Sequence, residues 1–416
     1  MQPKTLYITI GSLALIALLS VVGYVFMRSD PTQSTDEESS EVASPFPFGD
    51  IVGRFASRDD EGNEVGPGST SGSLVVGPVQ VIDQPQAGFV VLNQGGTTAV
   101  RYLSRETGHV FDYTKELGSV RLSNRTIPHI IRATWKADGG GALLLRNEGS
   151  ATQRVVRATL DRVETANEDP LSDPSSRPTP YTLGGETLPS SIISAVLSPD
   201  GETIALLERA DEVTTVSTLP FESTESVLLF SSPHPAWGVS WDGEEEIVVA
   251  SLPSPNYAGV SFMLESQTGR LTQRGEGVGL TFLLGPDAGS SISTRLVNGT
   301  PVSQFNDHAL NTTISLPFVT YPQEKCVYVG DTQAVCAAPS DNDLFGYPHR
   351  WYQGYVSFTD DLWLIDRTAG TVFSLYDTDS DTLSLDMVNL SFDNDSNELY
   401  FENKRDNSVW MIALDV

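Results

Sequence analysis

Four groups of side chains in this 416-residue chain have types and spacings suited to chemistry. The first is the run YDTDSDTLSLD, where Asp377, Asp379 and Asp381 alternate and Asp386 follows. Alternate carboxylates on a tight loop can converge on a hard cation such as Ca²⁺, which takes about six to eight oxygen ligands. The pattern is partial, because an EF-hand-like loop needs Gly at its sixth position and Glu at its twelfth, where Thr382 and Val388 stand. Solvated acids in a connection between repeats are the plain alternative, and no other cofactor is indicated.

The second group is aromatic. Tyr347, His349, Arg350, Trp351, Tyr352 and Tyr355, with Phe345, crowd into the segment 345–355. Trp, Tyr and Arg dominate interface hot spots, so the segment is the candidate for partner or ligand contact. Flat aromatic faces also suit sugar rings. The competing reading is a long loop that covers itself, with Trp351 and Tyr355 packed over the structure beneath. On the contact reading, replacing Trp351 and Tyr352 with Ala weakens capture and leaves stability intact. The third group is the cysteine pair, Cys326 and Cys336, and the fourth is five scattered histidines, His109, His129, His234, His308 and His349. No two histidines lie within four residues of each other, so metal-hydrolase chemistry finds little support and no catalytic residue is assigned.

These groups sit on a recurring phrase of apolar run, Asp-Gly-like turn and second apolar run. It reads ATWKADGGGALLL, AVLSPDGETIALL, VSWDGEEEIVVA, FLLGPDAGSSIS, KCVYVGDTQAVCA and NLSFDNDSNELYF. Each copy predicts a β-hairpin. The turns near Asp200, Asp242, Asp287 and Asp331 recur every 42 to 45 residues, the period of a four-stranded propeller blade. Counting GPVQVIDQPQAGFVVLN, turning near Ala87 and Gly88, as a first copy gives seven blades. Two insertions lengthen the wider intervals: Val163 to Pro189, rich in proline and read as a surface excursion, and Pro339 to Gly354 inside the sixth blade. The last blade is one strand short, and SLVV at Ser73 is expected to close the ring. Cys326 and Cys336 are equidistant from the turn at Asp331, so they face each other across one hairpin and can form a disulfide. Trp135, Trp237, Trp241, Trp363 and Trp410 fall on predicted strands and read as core.

LSPDGETIALLE at Leu197 resembles the TolB-type, WD40-like repeat, in which S-P-D-G joins the two inner strands of a blade. SWDGEEEIVVAS and LGPDAGSSIS resemble eroded copies; the full motif occurs once, at Ser198 to Gly201. The resemblance implies a propeller with a binding or scaffolding role and carries no catalytic residues with it.

Composition bounds the setting. Residues Leu6 to Met27 form an uncharged apolar run long enough, as a helix, to cross a hydrocarbon core of roughly 30 Å. A cleaved signal peptide is the alternative, but no small-residue cleavage site follows the run. Lys4 before it and a row of acids after it favour a cytoplasmic N-terminus and an extracytoplasmic body. Residues 28–72 carry ten acids, three arginines and no apolar period, the signature of a disordered linker. The expected architecture is therefore all-β: a seven-bladed β-propeller over 73–416, preceded by a cytoplasmic end (1–5), one transmembrane α-helix (6–27) and a disordered acidic linker (28–72). The net charge of −29, from 54 acids against 25 bases, repels phosphate backbones and argues against a nucleic-acid partner. The whole layout is similar to membrane-anchored bacterial envelope propellers. It points to a non-catalytic protein-binding or scaffolding module whose partners are the membrane, through its helix, and an envelope protein. The alternative is a propeller-type hydrolase or glycan-binding protein acting on envelope glycan or peptide.

Overall fold

The computed structural model describes residues 77–149, 152–163, 181–341, 344–378 and 383–414, all within the unit Gly72–Val416. The apolar run at 6–27, the linker at 28–72 and Ser73–Val76 lie outside the described residues. No helix among the described residues is long and apolar enough to cross a membrane.

Strand β1 (Val79–Ile82) comes first. Blade 1 is β2 (Gln86–Gln94), β3 (Thr97–Ser104), β4 (Val110–Thr114) and β5 (Gly118–Arg121). Blade 2 is β6 (Ile130–Trp135), β7 (Gly141–Glu148), β8 (Thr152–Arg162) and β9 (Tyr181–Thr187). Blade 3 is β10 (Ile192–Leu197), β11 (Thr203–Ala210), β12 (Val213–Pro220) and β13 (Val227–Ser232). Blade 4 is β14 (Trp237–Trp241), β15 (Glu246–Ser251), β16 (Ala258–Glu265) and β17 (Leu271–Val278). Blade 5 is β18 (Thr281–Leu284), β19 (Ser290–Val297), β20 (Thr300–Asp307) and β21 (Thr312–Ser315), and the one-turn helix α1 (Pro322–Lys325) follows it. Blade 6 is β22 (Cys326–Val329), β23 (Gln333–Pro339), β24 (Asp360–Asp366) and β25 (Thr371–Tyr376), with the one-turn helix α2 (His349–Tyr352) between its second and third strands. Blade 7 takes β26 (Met387–Asp393), β27 (Glu398–Asn403) and β28 (Ser408–Ala413), and β1 completes it against β28.

Each sheet is four-stranded and antiparallel, and all six sequence-read hairpins are the first two strands of a blade. The first strands of adjacent blades touch, as β2 with β6, β10 with β14 and β22 with β26, so they line the axis. The second strands are buried on both faces: Ile204–Leu207, Ile247–Val249 and Ala334–Pro339 are continuous buried runs. That burial explains why their sequences read as unbroken apolar stretches rather than alternating ones. The core consequently lies between blades. Seven clusters each join one neighbouring pair, from Ala87, Leu103 and Trp135 between blades 1 and 2 to Ile82, Tyr102 and Tyr400 between blades 7 and 1. The seam between blades 4 and 5 is thin, with only Val248, Met263, Phe282 and Leu284 buried in it.

The recurring turns are held by their own side chains. Asp200 Oδ1 accepts from Ser198 Oγ at 2.5 Å and from Glu202 N at 2.9 Å, while Gly201 takes a φ of 76° that an L residue resists. Asp138 and Asp287 make the same local bond to Gly140 N and Gly289 N. Cys326 pairs with Cys336 across β22 and β23, and the two form a disulfide. Trp135 and Trp237 are buried, and Trp241, Trp363 and Trp410 are half-buried on their strands.

Three sequence expectations are corrected. The closing strand is Val79–Ile82 rather than the SLVV segment: Val79 opposes Met411, Gln80 opposes Trp410 and Ile82 opposes Val409. The turn of the first hairpin is Gly95–Gly96, both at positive φ, and Ala87–Gly88 form a bulge inside β2. The segment Val163 to Pro189 is not wholly an excursion, because Tyr181–Thr187 within it is the outer strand of blade 2.

Antiparallel order also assigns the loops to faces. Turns between first and second strands share one face, the turn face. Connections between second and third strands, and those between blades, share the other. The segment 340–359 and α1 therefore lie on the same face, opposite the S-P-D-G turn.

Candidate functional site: a cavity at one mouth of the propeller

Pro322 opens α1 and fixes a single turn whose two last residues part ways. Lys325 is fully buried. Its Nζ donates to Asp360 Oδ2, to Asp386 Oδ1 at 2.7 Å and to the Met387 carbonyl at 3.2 Å. Asp386 also accepts from Trp351 Nε1 at 3.0 Å, Ser357 Oγ at 2.8 Å and the Phe358 amide at 3.1 Å, and Asp360 accepts from the Met387 amide at 2.7 Å. One buried cation thus ties α1, the 340–359 insertion, β24 and β26 together. An isolated buried charge is very unfavourable, whereas one paired with two carboxylates is tolerated.

The aromatic insertion divides on this anchor. Trp351 and Tyr347 are 2% and 4% exposed and pack with Tyr321 and Val388. The Tyr321 ring centroid is 4.3 Å from that of Trp351 and 4.9 Å from that of Tyr347. Tyr347 and Thr281 share a hydroxyl hydrogen bond of 2.7 Å. Lys404 Nζ lies 3.6 Å from the Trp351 ring centroid and donates to the Trp351 carbonyl at 2.6 Å; burial drops its pKa to about 8. Tyr347 and Trp351 are therefore core, which corrects their reading as contact residues. Trp351→Ala would leave Asp386 short of a donor and open a cavity, so it cannot leave stability intact. Tyr352, Tyr355 and Phe345 are exposed, Arg350 lies with its guanidinium over the Phe345 ring, and His349 is half-buried.

Glu324 turns away from Lys325 and toward a cavity of about 370 Å³ at the seam between blades 4 and 5. Val239, Val248, Leu252, Leu280 and Phe282 line it, with Gln323, Glu324, His349 and Tyr352 at its polar edge. The cavity falls where the inter-blade core is thin. Tyr352 donates its hydroxyl to Glu324 Oε2 at 2.9 Å, and His349 Nε2 donates to the Pro253 carbonyl at 3.1 Å. Burial pushes the Glu324 carboxyl up to about 7, against the pull of the Tyr352 hydroxyl and of Arg132. Arg132 is exposed on β6 and acts on Glu402 as well, and Glu402 accepts from Asn389 Nδ2 at 2.8 Å. Bulges re-aim the inner strands at this mouth in four consecutive blades, within β26, β2, β6 and β10.

Three acids, Asp360 buried and Glu324 and Asp242 half-buried, have raised pKa values for the same leading reason, desolvation: Glu324 about 7, Asp360 about 6 and Asp242 about 6. In each the folded state binds the proton more tightly than the unfolded chain, so the stability these groups contribute is full below about pH 4 and is lost as pH rises through 6 to 7. Asp307, held low by Arg367, and Asp386, held low by Lys325 despite its burial, act oppositely and lose their contribution as pH falls below about 4. A melting series should accordingly peak near pH 5 and decline toward pH 7.5. A melting temperature that climbs steadily from pH 5 to 7.5 would contradict these environments.

Of the candidate calcium ligands, Asp377 accepts from Ser374 Oγ at 2.6 Å, while Asp379 and Asp381 lie outside the described residues. Asp386 is committed to Lys325. Among the described residues no group of three or more His, Cys, Asp and Glu side chains is placed to hold a metal ion. The residues that sequence reasoning missed are Glu324, Lys325 and Asp360. The trace of the first two is PQEKC, a polar stretch interrupting the connection into blade 6, and Asp360 has none.

The class is thus a seven-bladed β-propeller whose strand order closes its last blade with its first strand. Among solved structures, oligogalacturonate lyase from Vibrio parahaemolyticus is similar at a TM-score of 0.50 and 10% identity, over 80% of this chain and 91% of that one. The β-propeller domain of the trilobed protease from Pyrococcus furiosus gives 0.47 and 11%, over 80% and 94%. TolB from Acinetobacter baumannii gives 0.40 and 12%, over 78% of each chain. At such identities the likeness is one of fold. No family model and no curated protein matches the chain.

Proposed function

We propose that this propeller is a non-catalytic binding module of the cell envelope, tethered by a helix at Leu6–Met27 and engaging a protein partner on the face that carries the insertion. One observation carries the proposal: large apolar side chains stay exposed in the two loops that border the cavity. Leu252 and Tyr257 are 54% and 75% exposed in the β15–β16 loop, and Tyr355 is 73% exposed beyond α2. Exposed aromatic groups beside a concave apolar site are the composition of a binding surface. On the turn face Asp200, Asp138 and Asp287 accept from neighbouring backbone amides, and Asp287 also pairs with Arg367. The Cys326–Cys336 disulfide supports an oxidising compartment. A glycosidase calls for paired carboxylates about 5 to 10 Å apart, and the wall of this cavity presents Glu324 alone.

The test is crosslinking of the full chain in its own membranes. Tyr257→Ala with Tyr355→Ala should cut partner adducts about tenfold or more while the melting temperature stays within about 2 °C, since both side chains lie on the surface. Unchanged adducts, or hydrolysis of glycan or peptide that this pair does not alter, would overturn the reading.

A further inference from the structure

The cavity between blades 4 and 5 has an acid at its edge and no lysine or arginine in its wall. Glu324 is half-buried there, and its shortest described hydrogen bond comes from a phenol, Tyr352, on Oε2. The cation next to it in sequence, Lys325, is directed into the core and saturated by Asp360, Asp386 and the Met387 carbonyl. His349 Nε2 donates a hydrogen bond to the Pro253 carbonyl, which leaves Nδ1 as an acceptor whenever the imidazole is neutral. Above these acceptors the walls are apolar: Val248, Leu252 and Phe282. A desolvated carboxylate over an apolar slot fits a ligand with an aliphatic stem and a cationic tip. The chain's charge of −29 draws such a group in.

We propose that the cavity takes a lysine side chain of the protein partner, its four-carbon stem against Val248, Leu252 and Phe282 and its ammonium on Glu324. An arginine fits less well. A guanidinium recognises a carboxylate through two parallel bonds, one to each oxygen, and would have to share Oε2 with the Tyr352 hydroxyl. An ammonium is a point charge with three free donors, suited to a single carboxylate oxygen. This inference rests on the binding-module reading, and its test separates the two.

The probes are Nα-acetyl-lysine amide, its arginine counterpart and the uncharged norleucine counterpart, titrated into the full chain and followed by ligand-observed NMR. The lysine amide should bind at least about tenfold more tightly than norleucine amide, the effect of one charge-assisted hydrogen bond, and more tightly than arginine amide. Glu324→Gln should erase the preference over norleucine while melting no lower than the parent, since a neutral amide replaces a desolvated carboxyl. Leu252→Trp, made at an exposed rim position, should block all three probes without touching the charge. Equal binding of lysine and norleucine amides, preference for arginine, or a lysine preference that survives Glu324→Gln would overturn the proposal, the last by showing that the acidic surface alone collects cations. In the membrane crosslinking, Glu324→Gln should reduce partner adducts as strongly as the Tyr257 and Tyr355 pair. If that pair abolishes adducts and Glu324→Gln does not, the lysine anchor falls and the binding face stands. If neither does, both fall.

Discussion

Lys325→Met is expected to lower the stability of the propeller by about 3–5 kcal/mol, the range for removing one partner of a buried ion pair. Asp360 and Asp386 are both fully buried against Lys325 Nζ, so its loss leaves two carboxylates without their cation. Asp386 keeps the Ser357, Phe358 and Trp351 donors, but Asp360 retains only the Met387 amide, and its Oδ1 already lacks a partner. The midpoint of urea unfolding should fall sharply at neutral pH and recover in part near pH 5, where protonating Asp360, whose pKa is about 6, removes one stranded charge. The insertion should loosen as well, because Trp351 is held by Asp386 and by Lys404, which sits beside the same cluster. An unfolding free energy within about 0.5 kcal/mol of the parent would mean that the cluster is neutral to folding, as some buried ion pairs are.

Deleting Val79–Ile82 should be comparably severe. β1 is the fourth strand of blade 7, so its loss exposes the edge of β28 and breaks the strand ladder that joins the two ends of the propeller, leaving the Gln86 amide on the Asn407 carbonyl at 3.1 Å. It also removes Ile82, 2% exposed, from the cluster with Tyr102, Tyr400 and Val409 that seals blade 7 to blade 1. Ile82→Ala alone should cost about 2–5 kcal/mol, as for other large-to-small core changes, and the deletion more. Calorimetry reads both. An unchanged melt after deletion would show that the ring holds without its closing strand.

The blades were legible because their signal is local. An Asp-Gly turn between two apolar runs is set by backbone geometry within about ten residues, and six copies, four of them 42 to 45 residues apart, admit few other folds. The cysteine pairing was legible for the same reason, since both residues sit on one hairpin. Closure was harder. VQVI and QAGFVVLNQ look like one hairpin, yet Pro85 separates them and the Gly95–Gly96 turn signal lies further on. The site was least legible, because it depends on which inter-blade connection meets which insertion across the mouth. The aromatic segment advertised itself, but Tyr347 and Trp351 are buried by Tyr321 from another connection, leaving His349 and Tyr352 to face the cavity. Whether a Glu or its neighbouring Lys points to the core is decided by Asp360 and Asp386, 35 and 61 residues beyond Lys325, and no local pattern encodes that.

The central claim is that the insertion face, and not the face of the Asp-Gly turns, meets the partner. The most direct measurement places a photo-activated p-benzoylphenylalanine at Tyr355 in one full-length variant and at Glu244, exposed on the turn face, in another. On irradiation in native membranes, position 355 should give a discrete adduct that Glu324→Gln removes, and position 244 none. A discrete adduct from position 244 with none from 355 would contradict the account.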